Sequence, residues 1–367
     1  MHIPDGYLSP STCASMYAAS TPFWIVAFRK VSRELHTRLV PLLSLFSAFS
    51  FVVMMFNVPL PGGTSGHAIG LGLAAAVLGP WASIVSISIA LTIQALFFGD
   101  GGVTALGANC FNMAIAGSLI ASLVYRAIAG AAPVQSRRRV WAGALGGYAG
   151  INVAALLAAI EFGIQPMFFK DSAGAPLYSP YPLHVAIPAM MAGHLTFAGA
   201  AEFLLSAGII AYLQKTAPSL LRRGASSHGV KNTERQTSRA WPAWALLAAM
   251  MILTPLGLLT VGSAWGEWSP RQLASPAARQ RIAAASGNVP PPAQVPSGLR
   301  KLSSIWTAPM PAYAPPVFKN AAFGYVMSAL TGCGLILLTF LLVQWLANIR
   351  NRLTNHDRRQ IPGEIRP

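Results

Sequence analysis

His2 stands next to the α-amine of Met1, and His67 closes the run Gly63-Thr64-Ser65-Gly66-His67. A histidine at position two can close two fused chelate rings on one divalent ion, using the amine, its own backbone nitrogen and an imidazole nitrogen. A second imidazole, from His67, completes a square of four nitrogens, which suits divalent nickel or copper, or low-spin cobalt. Binding would release protons, because a free α-amine titrates at about 8 and the amide must also be deprotonated. His2 is bulky, and initiator-methionine removal generally needs a small second residue, so Met1 is expected to stay. The site requires the amino terminus to be inserted among other segments rather than free in solvent.

Other polar groups cluster by position. Thr64 and Ser65 precede His67 in a Pro/Gly-rich stretch that can turn tightly and bring backbone close to an ion. Gly99-Asp100-Gly101-Gly102 leads through Thr104 to Asn109 and Asn112. The asparagines can fix imidazole orientation or brace the metal loop; equally, they can serve as interhelical hydrogen bonds. Asp100 is either a weak entrance carboxylate or a solvated loop acid. His194 and Glu202 fall on one apolar span, where ionisable groups warrant a functional hypothesis; His184 stands at that span's outer end. His184 is a candidate entrance ligand and His194 a candidate brace, the alternative for His194 and Glu202 being a buried hydrogen-bonded pair that supports the bundle. Glu161 and Asp171 flank an outer loop and are expected to be solvated. His36, His228 and His356 lie in basic segments.

The elements that must hold these groups are membrane helices. With 54% hydrophobic and 10% charged residues, the chain has too little polar material to cover a soluble globule of 367 residues. Apolar stretches near the spanning length of about 20 residues fall at 10–28, 39–56, 81–98, 105–126, 140–163, 186–213, 241–262 and 321–347. The segment 67–79 is short and fits a brief, partly re-entrant helix, tolerable where protein surrounds its ends. If it counts as a crossing and the amino terminus is outside, the basic clusters around Arg29–Arg38, Arg126–Arg139, Lys215–Arg239 and Arg350–Arg366 all fall in the cytoplasm, as the positive-inside rule requires. The formal charge of +16 is thus explained by topology and anionic lipid rather than nucleic acid. Cys13, Cys110 and Cys333 lie in predicted spans without C-x-x-C spacing, so neither a disulfide framework nor a thiolate metal site is indicated and they are read as small apolar packing residues. The amino-terminal segment lacks the basic region of a cleavable signal.

The expected fold is all-α: a bundle of about seven helices over 1–214, a basic cytoplasmic linker over 215–240, and a two-span unit over 241–348. The outer loop of that unit, 263–320, contains Pro290-Pro291-Pro292 and is expected to be extended; a basic tail occupies 349–367. Ala14 and Ala18 offer small residues one turn apart, a spacing that coincidence explains in so alanine-rich a chain and that could also dock a partner helix. The sequence contains no G-x-x-x-x-G-K-[ST] loop, so the chain cannot drive transport with ATP by itself; it contains no H-E-x-x-H or G-x-S-x-G either. Nothing else resembles a catalytic set, and the chain is read as a non-enzyme.

The motifs Met1-His2-Ile3-Pro4-Asp5-Gly6-Tyr7-Leu8, Gly63-Thr64-Ser65-Gly66-His67 and Gly99–Gly102 through Asn109 with Phe111-Asn112-Met113 together resemble the CbiM/NikM family. These are substrate-capturing subunits of energy-coupling-factor nickel and cobalt transporters. The resemblance implies a substrate of Ni²⁺ or Co²⁺ without an organic cofactor and a metal site on Met1, His2 and His67. It further implies a bundle of about seven helices in the inner (plasma) membrane with an outside amino terminus, and partners comprising a transmembrane scaffold subunit and cytoplasmic ABC ATPases. The tail from Pro242, with Thr254-Pro255-Leu256-Gly257-Leu258-Leu259 and Ala264-Trp265-Gly266-Glu267-Trp268, resembles a fused version of the two-span accessory subunit of such systems. Competing readings are a non-transporting structural or regulatory subunit and a stand-alone permease; the lack of an apparent inverted repeat argues against the latter.

Overall fold

A computed structural model describes residues 1–33, 39–222, 241–260, 262–315 and 317–359. Among these the chain is helical, with one two-stranded hairpin. Helices α1 (Pro10–Arg33) and α2 (Leu39–Met54) precede strands β1 (Val58–Leu60) and β2 (Thr64–Gly66), which pair antiparallel, and the short α3 (Leu71–Val77). Helix α4 (Pro80–Ile93) ends in a π-helical turn, Gln94–Phe98. α5 (Leu106–Asn109) passes through a second π turn, Cys110–Gly117, into α6 (Ser118–Ala129). α7 (Arg137–Phe168) follows, and α8 (Leu183–Gly193) continues through a third π turn, His194–Ala198, into α9 (Gly199–Thr216) and then α10 (Pro218–Arg222).

Six helical stretches are long and apolar enough to cross a membrane: Pro80–Phe98, Leu106–Ala129, Arg137–Phe168, Leu183–Thr216, Trp241–Leu259 and Ala321–Leu346, with Val40–Met54 as a shorter apolar helix. The protein is therefore a polytopic helical membrane protein, as its composition predicts. The stretch expected at 10–28 forms α1, which is not among the six.

The expected short helix at 67–79 is α3, whose residues are all buried. Its leading backbone N–H groups have no partner within the helix. The Glu202 carboxylate of α9 accepts from Ile69 N (2.7 Å), Gly70 N (2.9 Å) and Gly72 N (3.2 Å), placing negative charge at the positive end of the helix dipole. Glu202 is thus a structural anchor for the segment after His67. It is bonded to that segment and to Ser206 and makes no hydrogen bond to His194.

The C-terminal unit comprises α11 (Trp241–Leu253), extended by a 3₁₀ turn over Thr254–Leu259, then α12 (Pro270–Ala274), α13 (Pro276–Ala285), α14 (Ser297–Leu302) and α15 (Ala321–Arg359). Helix α15 packs on α2 so closely that a methyl on Gly332 would sit 2.1 Å from the Phe51 ring. The outer loop is not the extended segment expected. Pro270 and Pro276 occupy first helical positions, where proline's missing N–H costs nothing, and Ser269 with Gln272 forms a capping box, so three short helices form. The expected linker lies mostly outside the described residues, which also exclude His36 and His228; α9 runs on through Thr216, and α15 continues past 348 without a break.

Candidate metal centre

The first nine residues are threaded into the bundle, with Met1, His2 and Ile3 at most 2% exposed. A buried extended segment must find partners for its backbone groups. Asn109 takes both of Ile3's, accepting from Ile3 N at 2.8 Å and donating to Ile3 O at 3.1 Å, while Gly102 N also donates to Ile3 O. Asp5 accepts from Val103 N, Thr104 N and the Thr104 hydroxyl. The glycines of 99–102 permit this approach: a Cβ on Gly102 would lie 2.4 Å from Asp5 N. Tyr7 donates to Trp268 O at 2.6 Å, and Gln165 accepts from Ser9 N at 2.9 Å.

This threading places His2 beside His67, their rings stacked with centroids 4.9 Å apart and planes 28° from parallel. His67 Nδ1 faces Ala68 O at 3.0 Å; a carbonyl accepts only, so Nδ1 carries the proton and Nε2 presents its lone pair. Neither His67 Nε2 nor His2 Nε2 has a hydrogen-bond partner, although both are buried. An unsatisfied buried polar atom costs about 1–3 kcal/mol, and the bare lone pair of His67 Nε2 calls for a ligand. Burial, followed by the nearby charges of His2 and the amino terminus, holds His67 well below the usual histidine range, which keeps its lone pair free.

Two carboxylates complete the surroundings. Asp100 Oδ1 accepts from His2 Nδ1 at 2.8 Å, and Oδ2 accepts from the Tyr313 hydroxyl at 2.6 Å and Gln94 Nε2 at 3.3 Å. Burial pushes the Asp100 acid upward, but His2, His67 and Tyr313 together outweigh it and hold the carboxyl well below its usual range. Glu267 Oε1 pairs with the Met1 ammonium at 3.3 Å. Burial raises the Glu267 carboxyl above its usual value, and the ammonium opposes that shift. Among the described residues no three His, Cys, Asp or Glu side chains gather as a metal site by themselves; the nitrogens available are two imidazoles and the chain's own terminus.

The structure brings Met1, His2, His67, Asn109 and Asp100 together. Thr64 and Ser65 shape the turn instead, donating to Pro61 O and Gly262 O. Asn112 donates to Glu161 at 2.9 Å, away from the imidazoles, and this contact buries Glu161, which was expected in solvent. His184 is exposed, on a 360 Å³ cavity lined by Pro61, Gly62 and Ala285 rather than at the centre. Glu267, Tyr313 and Gln94 were not singled out by sequence reasoning as site residues. One signal for Glu267 was present: it is the only acidic residue in 263–320, a stretch otherwise basic and apolar.

Residues 2–220 match the family model CbiM, described as a cobalt uptake substrate-specific transmembrane region. The chain belongs to the CbiM family. It is 54% identical over 336 residues to the fused nickel transport protein NikMN of Rhodobacter capsulatus, covering 92% of this chain and 95% of that one. It is also 41% identical to the probable fused nickel transport protein LarMN of Lactiplantibacillus plantarum, covering 77% and 82%. A crystal structure of a transition metal transporter superposes with a TM-score of 0.55 at 52% identity, covering 59% of this chain and 93% of that chain. The CbiM-family member described here thus carries its accessory unit fused at the C-terminus, as in those two relatives, and is a metal transport protein.

Proposed function

We propose that this chain is the substrate-binding membrane subunit of an ATP-driven Ni²⁺ or Co²⁺ uptake transporter and that it captures the ion with Met1 N, the His2 amide and imidazole, and His67 Nε2. The observation that carries the reading is the separation of the two imidazoles. With metal–nitrogen bonds of about 2 Å, two imidazoles bound side by side on a planar ion have centroids roughly 4.5 Å apart, and opposite ones roughly 6.3 Å. In the proposed set His67 sits beside His2 and opposite the amide, and the centroids stand 4.9 Å apart.

Fused rings can close only through His2 Nδ1, because Nε2 lies on the far side of the imidazole from the amide. Nδ1 is bonded to Asp100, so capture turns the ring about Cβ–Cγ, bringing Nδ1 to the ion and Nε2–H to the Asp100 carboxylate. At the same step the amine leaves Glu267. Asp100 then holds the ring from behind, the role outer partners commonly play for metal-bound histidine. A planar nitrogen set suits Ni²⁺ or Cu²⁺, and the two relatives above are named for nickel.

The basic clusters support an outside amino terminus in the plasma membrane. The missing phosphate loop supports partners that hydrolyse ATP, namely a membrane scaffold subunit and cytoplasmic ATPases. The test is a Ni²⁺ titration of purified protein with its native amino terminus: a planar four-nitrogen spectrum saturating at one ion per chain is expected, and no such spectrum contradicts the reading.

A further inference from the structure

His194 is the third buried imidazole whose Nε2 has no partner, alongside His2 and His67. Its Nδ1 donates to Met190 O at 2.8 Å, which fixes the tautomer as in His67 and leaves the Nε2 lone pair bare. The fold also brings the backbone before His194 close to that before His67. Gly66 precedes one and Gly193 the other, and a Cβ on either glycine would lie 2.8 Å from the same atom, Leu60 Cδ1; Ala198, from the π turn that begins at His194, packs 3.7 Å from the Gly66 position. That turn interrupts an otherwise regular helix and is held by the Tyr148 hydroxyl donating to Leu195 O. Such π turns are frequent at functional sites. Among the described residues His2, His67 and His194 do not gather as one three-side-chain site, so His194 stands outside the first coordination set.

We propose that His194 is a second nitrogen station for the ion: paired with His67, it receives the dication as the amino-terminal chelate lets go. The inference rests on the capture reading above. A planar ion exchanges ligands by taking in a new donor before releasing an old one, so a bare imidazole on the segment packed near that of His67 gives release a path that water in an apolar bundle does not.

The experiment uses the full chain with its native terminus. His2→Gln removes one imidazole from the chelate while its bulk keeps Met1 in place, and Cu²⁺ bound to that variant is examined by electron spin-echo modulation, which counts coordinated imidazoles. Two imidazoles are expected, falling to one in His2→Gln with His194→Ala, with a loss of about tenfold in residual affinity, or 1.4 kcal/mol. A single imidazole in His2→Gln, or a signal indifferent to His194, overturns the proposal. A second measurement covers misfolding: in His194→Gln, transfer of Ni²⁺ from the protein to an external chelator should slow by about tenfold or more, and an unchanged rate counts against the station. Absence of a four-nitrogen spectrum in the wild-type protein would instead remove the capture reading, while a two-imidazole signal in His2→Gln would still support the His67–His194 pair.

Discussion

Replacing His67 with alanine removes one of four proposed nitrogens and leaves the amino-terminal chelate intact. Four-ligand protein sites yield about 10–16 kcal/mol, or roughly 3–4 kcal/mol per donor, which corresponds to about 100- to 1000-fold in Kd. Two features place the expectation toward the upper end. The Nε2 of His67 is bare, so the ion displaces no existing hydrogen bond there, and the ring is fixed by its bond to Ala68 O, so little ordering is needed on binding. The variant also loses that bond and leaves a small void at a residue 4% exposed, a stability cost of about 1–3 kcal/mol that a thermal melt reports separately. The assay is competition between protein and a calibrated chelator for Ni²⁺. A folded His67→Ala protein with Kd within about threefold of wild type would refute the reasoning.

Further outcomes follow from the same geometry. Asn109→Ala unties both backbone groups of Ile3 and should weaken Ni²⁺ binding by about 10- to 100-fold; unchanged affinity in chelator competition removes Asn109 from the site. Glu267→Gln leaves the buried Met1 ammonium without its counter-charge. Glu267 is 21% exposed, so the destabilisation should be modest, about 1–2 kcal/mol without metal and smaller with Ni²⁺ bound; equal thermal shifts with and without metal would show that the amine does not change partners. Calorimetry in buffers of differing ionisation enthalpy should count about two protons released per ion, from amine and amide. The sign is that acid weakens capture. His67 does not add to that loss through the usual histidine range, because its depressed value keeps it neutral there. Release of one proton per ion or fewer, which the amine alone supplies, would contradict the amide's participation.

Much of this arrangement was legible in the sequence because it is local or periodic. Apolar stretches of spanning length mark the membrane helices, and a histidine at position two defines a chelate from covalent geometry alone. The short α3 was readable from its length, but its anchor was not: Glu202 is 130 or more residues away, and only the fold shows that its carboxylate meets the N–H groups of 69–72. The outer loop was misjudged because its prolines suggested extended chain, whereas Pro270 and Pro276 begin helices. Glu267 and Tyr313 escaped for a related reason. Glu267 reaches the amino terminus, and Tyr313 reaches Asp100, across more than 200 residues, and no spacing rule connects groups so far apart in the chain. Glu161 shows the converse: its position beside an outer loop suggested solvent, but Asn112 draws it inward.

In the proposed site one ion is gripped jointly by the amino terminus and the imidazole of His67. Anomalous scattering at the nickel edge from Ni²⁺-soaked crystals of the full chain tests it most directly. A single peak within about 2 Å of Met1 N, His2 N, His2 Nδ1 and His67 Nε2 is the predicted result; a peak elsewhere, or one lacking either the terminus or His67 among its neighbours, would contradict it.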